Sequence, residues 1–206
     1  MKHSPSSRDA PVRPARGARS RQLRIISGQW RGRRWQFPSP DTRPTPDRVR
    51  ETVFNWLQGR LIGRQVLDLF AGSGALGLEA LSRGAQACVF VEQHSATASA
   101  LRALLADWDA HHGEVRCMSA ERYLQRAPTP FGLVFLDPPY AAGLLAPVAA
   151  RLAQGWLAPG ALIYIEHSRH EPLPALPGDW AVLKSGSAGE VGYHLLESAS
   201  GKELLP

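Results

Sequence analysis

From residue 65 onward, short apolar runs alternate with segments of helical period. The runs 65–70, 87–92, 114–118, 133–137 and 161–166 each read as a buried strand. Between them, helices are expected near 75–83, 94–109, 120–126 and 143–155. Such alternation predicts βαβ units and a mostly parallel sheet. It breaks near the end of the chain. There 180–184 and 193–197 flank Ser185-Gly186-Ser187-Ala188-Gly189, which reads as the turn of an antiparallel hairpin. The expected class is α/β, with seven strands in the sheet.

The first 60 residues follow another pattern. Residues 1–22 lack apolar periodicity and read as a flexible basic arm. Leu23-Arg24-Ile25-Ile26 and Arg33-Arg34-Trp35-Gln36-Phe37 flank Gly28-Gln29-Trp30-Arg31-Gly32, which predicts a β-hairpin studded with arginine. Pro38, Pro40 and Pro44 mark a loop. Thr45 can then cap a helix, with Pro46 at its first position and Asp47 in its first turn. Val49, Val53, Trp56 and Leu57 share one helical face, and Phe54 lies beside it. Arg48 and Glu51 lie toward the other side, so the helix packs on the main domain while offering arginines to a ligand. Four regions are expected: an arm (1–22), an arginine-rich hairpin and helix for ligand binding (23–60), the α/β domain (61–198) and a frayed tail (199–206).

Composition narrows the function classes. A chain of 206 residues, 44% hydrophobic and 20% charged, fits one main globular domain. It holds no apolar run of about 18 residues, so no membrane span is expected. The basic N-terminus lacks the apolar stretch and cleavage site of a secretory signal. Cys88 and Cys117 sit in strand-like runs and read as core thiols of a reducing, cytoplasmic compartment. The net charge of +6 is unevenly placed. Residues 1–50 hold thirteen basic residues against Asp9, Asp41 and Asp47, a local +10, while the remainder is a local −4. That asymmetry points to a polyanion partner for the N-terminal part. Twelve of the thirteen are arginine, whose guanidinium forks onto phosphate.

Two motifs carry candidate chemistry. Gly72-Ser73-Gly74-Ala75-Leu76-Gly77 is a G-x-G-x-x-G between an expected strand and an expected helix. Its glycines let the backbone approach a nucleotide-like ligand. Glu92, ending the next strand, is placed to grip two ribose hydroxyls. These features fit a dinucleotide as well as S-adenosylmethionine. Asp68, four residues before the first glycine, separates them: a carboxylate there opposes a pyrophosphate but suits the ammonium of a methionine moiety. Phe70 and Gln93, at the same strand ends, are further candidate cofactor contacts. Ser119 and Ala120 follow the third strand, where Ala120 can offer its backbone N–H to adenine.

The second motif is Asp137-Pro138-Pro139-Tyr140, which begins 69 residues after Asp68 and ends an apolar run. An exocyclic base amine is a poor nucleophile because the ring shares its lone pair. Methyl transfer needs that nitrogen in line with the methyl, about 3 Å away. Acceptors on its two N–H bonds localise the lone pair. Asp137 supplies one acceptor and the Pro138 carbonyl can supply the other. Consecutive prolines keep the backbone extended, and Tyr140 can stack on the base. No metal is called for: His94, His111, His112, His167, His170 and His194 show no ligand spacing.

With these residues in view, the chain resembles the RsmD family of bacterial 16S rRNA guanine-N2 methyltransferases. The resemblance spans about Arg24 to Glu197. It rests on Arg24 to Arg33, on Arg43-Pro44-Thr45-Pro46-Asp47-Arg48-Val49-Arg50-Glu51 through Leu57, on Asp68 to Gly84, and on the Asp-Pro-Pro-Tyr motif. It implies a Rossmann-like class I methyltransferase with a small N-terminal extension, acting on the small ribosomal subunit or its assembly intermediate. Asp68, Gly72 and Gly74 would carry the methionine end, Glu92 the ribose, Ser119 and Ala120 the adenine, and Asp137 to Tyr140 the guanine. Arg24, Arg31, Arg33, Arg34, Arg43, Arg48 and Arg50 are the candidate RNA contacts. Ser119 stands where a longer polar side chain is common, and Ser27 where a glycine is expected in the hairpin. A monomer is expected, since no apolar helix face is left over. Two other classes use parts of the same pattern: a DNA adenine-N6 or protein amide methyltransferase, and an RNA-binding module that kept a dinucleotide fold.

Overall fold

The computed structural model describes residues 21–37, 46–139 and 143–199. Thr45, Arg43 and Tyr140 lie outside the described residues, as do the arm before residue 21 and the end of the tail. A two-stranded antiparallel sheet comes first, β1 (Arg21–Arg24) with β2 (Arg34–Phe37). It is followed by α1 (Asp47–Trp56), β3 (Gln65–Asp68), α2 (Ala75–Ser82), β4 (Ala87–Glu92), α3 (Ser95–Asp107) and β5 (Gly113–Cys117). Then come α4 (Ala120–Tyr123), β6 (Phe131–Leu136), α5 (Leu145–Leu152), β7 (Leu157–Ser168), β8 (Trp180–Ala188) and β9 (Val191–Ser198).

The last seven strands form one sheet in the order β5-β4-β3-β6-β7-β9-β8. The first five in that order run parallel, and β9 pairs antiparallel with both β7 and β8. This is the expected α/β architecture, and its pattern follows from burial. Central strands covered on both faces need near-continuous apolar runs, which Val66-Leu67 and Leu133-Val134-Phe135-Leu136 supply at 0% exposure. Burying each such side chain is worth about 1.5–3 kcal/mol. One face packs with α1, α2, α3 and the N-terminal hairpin, the other with α4 and α5. The chain leaves β3 toward β4 on one side and returns to β6 on the other, so the topological switch point lies between β3 and β6.

Several expectations are corrected in detail. The terminal hairpin turns later than expected, because β8 continues through Ser185–Ala188 and the turn falls at Gly189, where φ is +58°. Gly186 is a packing glycine instead: it pairs with Tyr193, and a Cβ there would lie 2.6 Å from the tyrosine ring. Helix α1 begins at Asp47, after an extended Pro46 with ψ of 144° whose carbonyl accepts the N–H groups of Val49 and Arg50. No side chain among the described residues caps it. Helix α4 is shorter than expected, ending at Tyr123. The two cysteines separate: Cys88 is buried in β4, while Cys117 is exposed at the end of edge strand β5.

The face assigned to α1 is borne out at Val49, Val53 and Leu57, with Phe54 beside them, all at 0–1% exposure, while Trp56 is half-buried. Arg50 joins them at 0%, which corrects its reading as an RNA contact. Its guanidinium donates to Asp47 at 2.6 Å and to the Arg24 carbonyl at 3.0 Å. Burial alone would raise the Asp47 carboxyl, but Arg50 and then Arg24 hold it below its ordinary value. Arg50 thus ties α1 to β1 from inside.

Candidate active site

The candidate residues converge at the carboxyl ends of the parallel strands, where open α/β sheets bind ligands. Asp68 ends β3, Glu92 ends β4, Ser119 follows β5 and Asp137 follows β6. Asp68 pairs in register with Phe135, two residues before Asp137. The glycine loop and the Asp-Pro-Pro turn therefore leave neighbouring strands on either side of the switch point.

The loop has the conformation its glycines permit. Gly72 and Gly74 have φ of +49° and +76°, a region open to glycine at little cost. Gly74 stands at the N-cap of α2 and has no side chain to cap it. Asp68 does that work from the strand tip, accepting the Gly77 N–H at 3.0 Å. A carboxylate at a helix N-terminus is favourable. Gly77 has a separate reason: a Cβ there would lie 2.3 Å from the Phe90 ring and 2.7 Å from the Cys88 sulfur. The third glycine thus lets α2 press against β4.

Asp68 is 2% exposed. Burial pushes its carboxyl up to about 7, against the Gly77 hydrogen bond, and the negative charges of Glu92 and Glu166 push the same way as burial. Glu92, 7% exposed, accepts the Gly72 N–H at 2.9 Å and the His94 N–H at 2.7 Å. It therefore couples the glycine loop to the end of β4. Glu166 in β7 is 1% exposed and accepts the Tyr164 hydroxyl at 2.8 Å. Sequence reading gave Glu166 no role, although a carboxylate at the end of an apolar run was a visible signal. Three buried carboxyl groups, with Asp68 only partly ionised near neutral pH, give this pole a negative bias. It suits a cationic ligand and opposes a pyrophosphate.

The other candidates are placed as follows. Phe70 is half-buried against the second core, and Gln93 is exposed. Ser119 caps α4, its hydroxyl accepting the Arg122 N–H at 3.3 Å. Ala120 is the first helical residue, where an N–H has no intrahelical acceptor. Asp137 is half-buried, Pro138 buried and Pro139 exposed. Among the described residues, no group of three or more His, Cys, Asp or Glu is placed to hold a metal ion.

The hairpin sits beside this site. Leu23, Ile25, Trp30, Trp35 and Phe37 enter the same core as α2 and α3. Its connecting loop is fixed to α2: Glu79 accepts the N–H groups of Ile26 and Ser27 at 2.8 and 3.0 Å. Ser82 accepts the Trp30 N–H at 3.0 Å and donates to the Ser27 carbonyl at 2.6 Å. Gly28 passes so close that a Cβ would meet the Ser82 carbonyl at 1.9 Å. The opposite face carries Arg24, Arg31, Arg33 and Arg34, all exposed, and Arg48 is exposed on α1. Arg33 also lies over the Trp108 ring, 5.5 Å from its centroid.

A family model described as conserved hypothetical protein 95 matches residues 23–197. The chain is 46% identical over 180 residues to ribosomal RNA small subunit methyltransferase D of Escherichia coli strain K12, covering 86% of this chain and 91% of that one. The chain belongs to the RsmD family. The protein of the same name from Haemophilus influenzae is 39% identical over 183 residues, covering 86% of this chain and 94% of that one. The solved structure of the Escherichia coli protein yhhF superposes with a TM-score of 0.82 at 44% identity, covering 87% of this chain and 99% of that chain. The RsmD-type chain therefore has the Rossmann-like class I methyltransferase fold, with the hairpin as an N-terminal addition.

Proposed function

We propose that this chain transfers a methyl group from S-adenosylmethionine to the exocyclic N2 of a guanine in 16S rRNA of the small ribosomal subunit or its assembly intermediate. The observation that carries the reading is the pairing of two strand tips: buried Asp68 behind a glycine loop, and Asp137-Pro138-Pro139 leaving the adjacent strand. The chain is similar over most of its length to proteins named for small-subunit rRNA methylation.

The residues fit the cofactor. Glu92 is positioned for a ribose, the Ala120 N–H for an adenine, and the loop from Gly72 to Gly74 lets the backbone come close. The negative pole favours an ammonium and a sulfonium over a dinucleotide. Bound there, S-adenosylmethionine supplies an electrophilic methyl group. The protein's own part is orientation. Asp137 accepts one N–H of the guanine amine and the Pro138 carbonyl accepts the other, with Tyr140 stacking on the base. Half-burial of Asp137 and burial of Pro138 support this, because partial exclusion of water strengthens both acceptors.

The substrate reading draws on the hairpin. Arg24 and Arg34 stand directly opposite across the strands. Like charges at that position repel, and of these two arginines it is Arg24 that Asp47 meets, at 3.2 Å. A polyanion on this face relieves the repulsion, and RNA phosphates have the matching charge. Incubation with labelled S-adenosylmethionine and small subunits lacking the modification tests the proposal. Label at one guanine N2 is expected. Label only in duplex DNA, in protein, or nowhere with a folded enzyme would sink it.

A further inference from the structure

We infer that Trp35 is a positioning residue for the cofactor loop: its indole N–H holds the Ser73 carbonyl and keeps the glycine turn in its receiving shape. The inference rests on reading that loop as the cofactor seat. Trp35 donates to the Ser73 carbonyl at 3.0 Å, 38 residues away in sequence. Ser73 lies between Gly72 and Gly74, both at positive φ. Such a stretch loses more conformational freedom on ordering than any other. The Gly72 and Gly74 N–H groups are fixed by Glu92 and by the Ala71 carbonyl, at 2.9 and 2.7 Å. The Trp35 bond fixes the carbonyl between them.

The anchor is rigid enough to serve. Trp35 is 6% exposed and meets Trp108 edge-on at 5.8 Å. Trp108 in turn meets Trp30 at 5.5 Å. Behind the loop, Trp35 and Phe37 face Gly72, Ser73, Thr97 and Leu101 across a crevice of about 20 Å³. That is room for about one water, so the hairpin packs closely against the loop. The same hairpin grips the far end of α2 through Glu79 and Ser82. Helix α2 and the loop that starts it are thus held at both ends by one element. Without the indole N–H, the loop must be ordered at the moment of binding, which lowers affinity.

The test is calorimetric titration of the full chain with S-adenosylhomocysteine, using Trp35→Phe and Trp30→Phe. Trp35→Phe keeps an aromatic ring and removes the donor. Its Kd is expected to weaken about fivefold, the worth of one neutral hydrogen bond. The KM for S-adenosylmethionine should rise equally, with kcat little changed. Trp30→Phe disturbs the same aromatic cluster without touching the loop, so its Tm should fall while its Kd stays at the wild-type value. Equal Kd for wild type and Trp35→Phe overturns the inference. So does equal weakening in both variants, since that would be loss of packing alone. A wild-type protein that fails to bind would overturn the cofactor reading itself, and this inference with it.

Discussion

The strand-tip pole and the outer face of the hairpin differ in both charge and burial. Asp68, Glu92 and Glu166 are buried carboxylates whose charges act on one another. Arg24, Arg31, Arg33 and Arg34 are exposed cations on a thin two-stranded ribbon. The two regions share a core, yet they work in opposite dielectric regimes. Buried charges are little screened by salt, so a few of them can define a ligand closely. Exposed arginines are screened, so several must act together on a repeating polyanion. On the proposed function, the contrast separates chemistry at the tips from address at the ribbon.

The largest effect should come from removing the acceptor at the tip. Asp137→Ala is expected to lower kcat by about a hundredfold or more, the usual cost of losing one oriented polar group in a transition state. Its affinity for S-adenosylhomocysteine should stay within about twofold of wild type. Single-turnover kinetics beside calorimetry reads both. A comparable loss of cofactor affinity would place Asp137 in the wrong half of the site. Next comes the ribbon. Replacing Arg31, Arg33 and Arg34 together by Ala should weaken rRNA binding and reduce its logarithmic salt slope by about 2, at 0.7–0.9 per lost phosphate contact. Cofactor affinity should not move. An unchanged slope would remove the hairpin from the RNA interface.

Much of this was legible in the sequence because the residues involved obey local rules. The glycine loop, the alternating strands and the carboxylates at strand ends show themselves by spacing and polarity. The hairpin was legible for the same reason, since Leu23 and Trp35 alternate with arginines. What was not legible depended on distant partners. Arg50 looks like Arg48 in the sequence, but about half a helical turn separates them and places one in the core and the other in solvent. Trp35 read only as an apolar strand position, and its donor role needs Ser73, 38 residues away. Glu79 falls within an expected helix, and nothing in that stretch announces its partners, the hairpin's N–H groups. Gly186 sits within a Ser-Gly-Ser stretch, and its real constraint is the ring of Tyr193.

A pH response should sharpen the tip side of the comparison. The Asp68 carboxyl is pushed from its ordinary 3.8 to about 7, mainly by burial. The stability this group contributes is fully present below its unfolded value near 3.8 and is lost as pH rises through about 7. Without cofactor, the wild-type Tm should therefore fall between about pH 5 and about pH 8 by more than that of Asp68→Asn. A cation brought to the site favours the ionised carboxylate. Affinity for S-adenosylhomocysteine should thus rise about eightfold from about pH 6 to about pH 7.5, before an amino group titrating near 8 begins to lose its own proton. Asp68→Asn should flatten that rise. An equally steep rise in the variant would assign the proton to another group.

The smallest expected effect tests whether burial, and not residue type, sorts the arginines. Arg50 is fully buried, with Nε and Nη1 lacking a hydrogen-bond partner among the described residues. Arg34 is exposed on the ribbon. Arg50→Met keeps the length of the side chain and fills the same space with apolar atoms. Replacing a partly paired buried charge in this way is often neutral or stabilising, and Asp47 keeps its ion pair with Arg24 at 3.2 Å. The variant should therefore fold, with a Tm near wild type and an unchanged RNA affinity and salt slope. Arg34→Met should fold equally well but lose about one phosphate contact from the slope. Filter binding across a salt series reads the pair side by side. If a folded Arg50→Met loses as much RNA affinity as Arg34→Met, α1 opens on the RNA and its buried arginine belongs with the address after all.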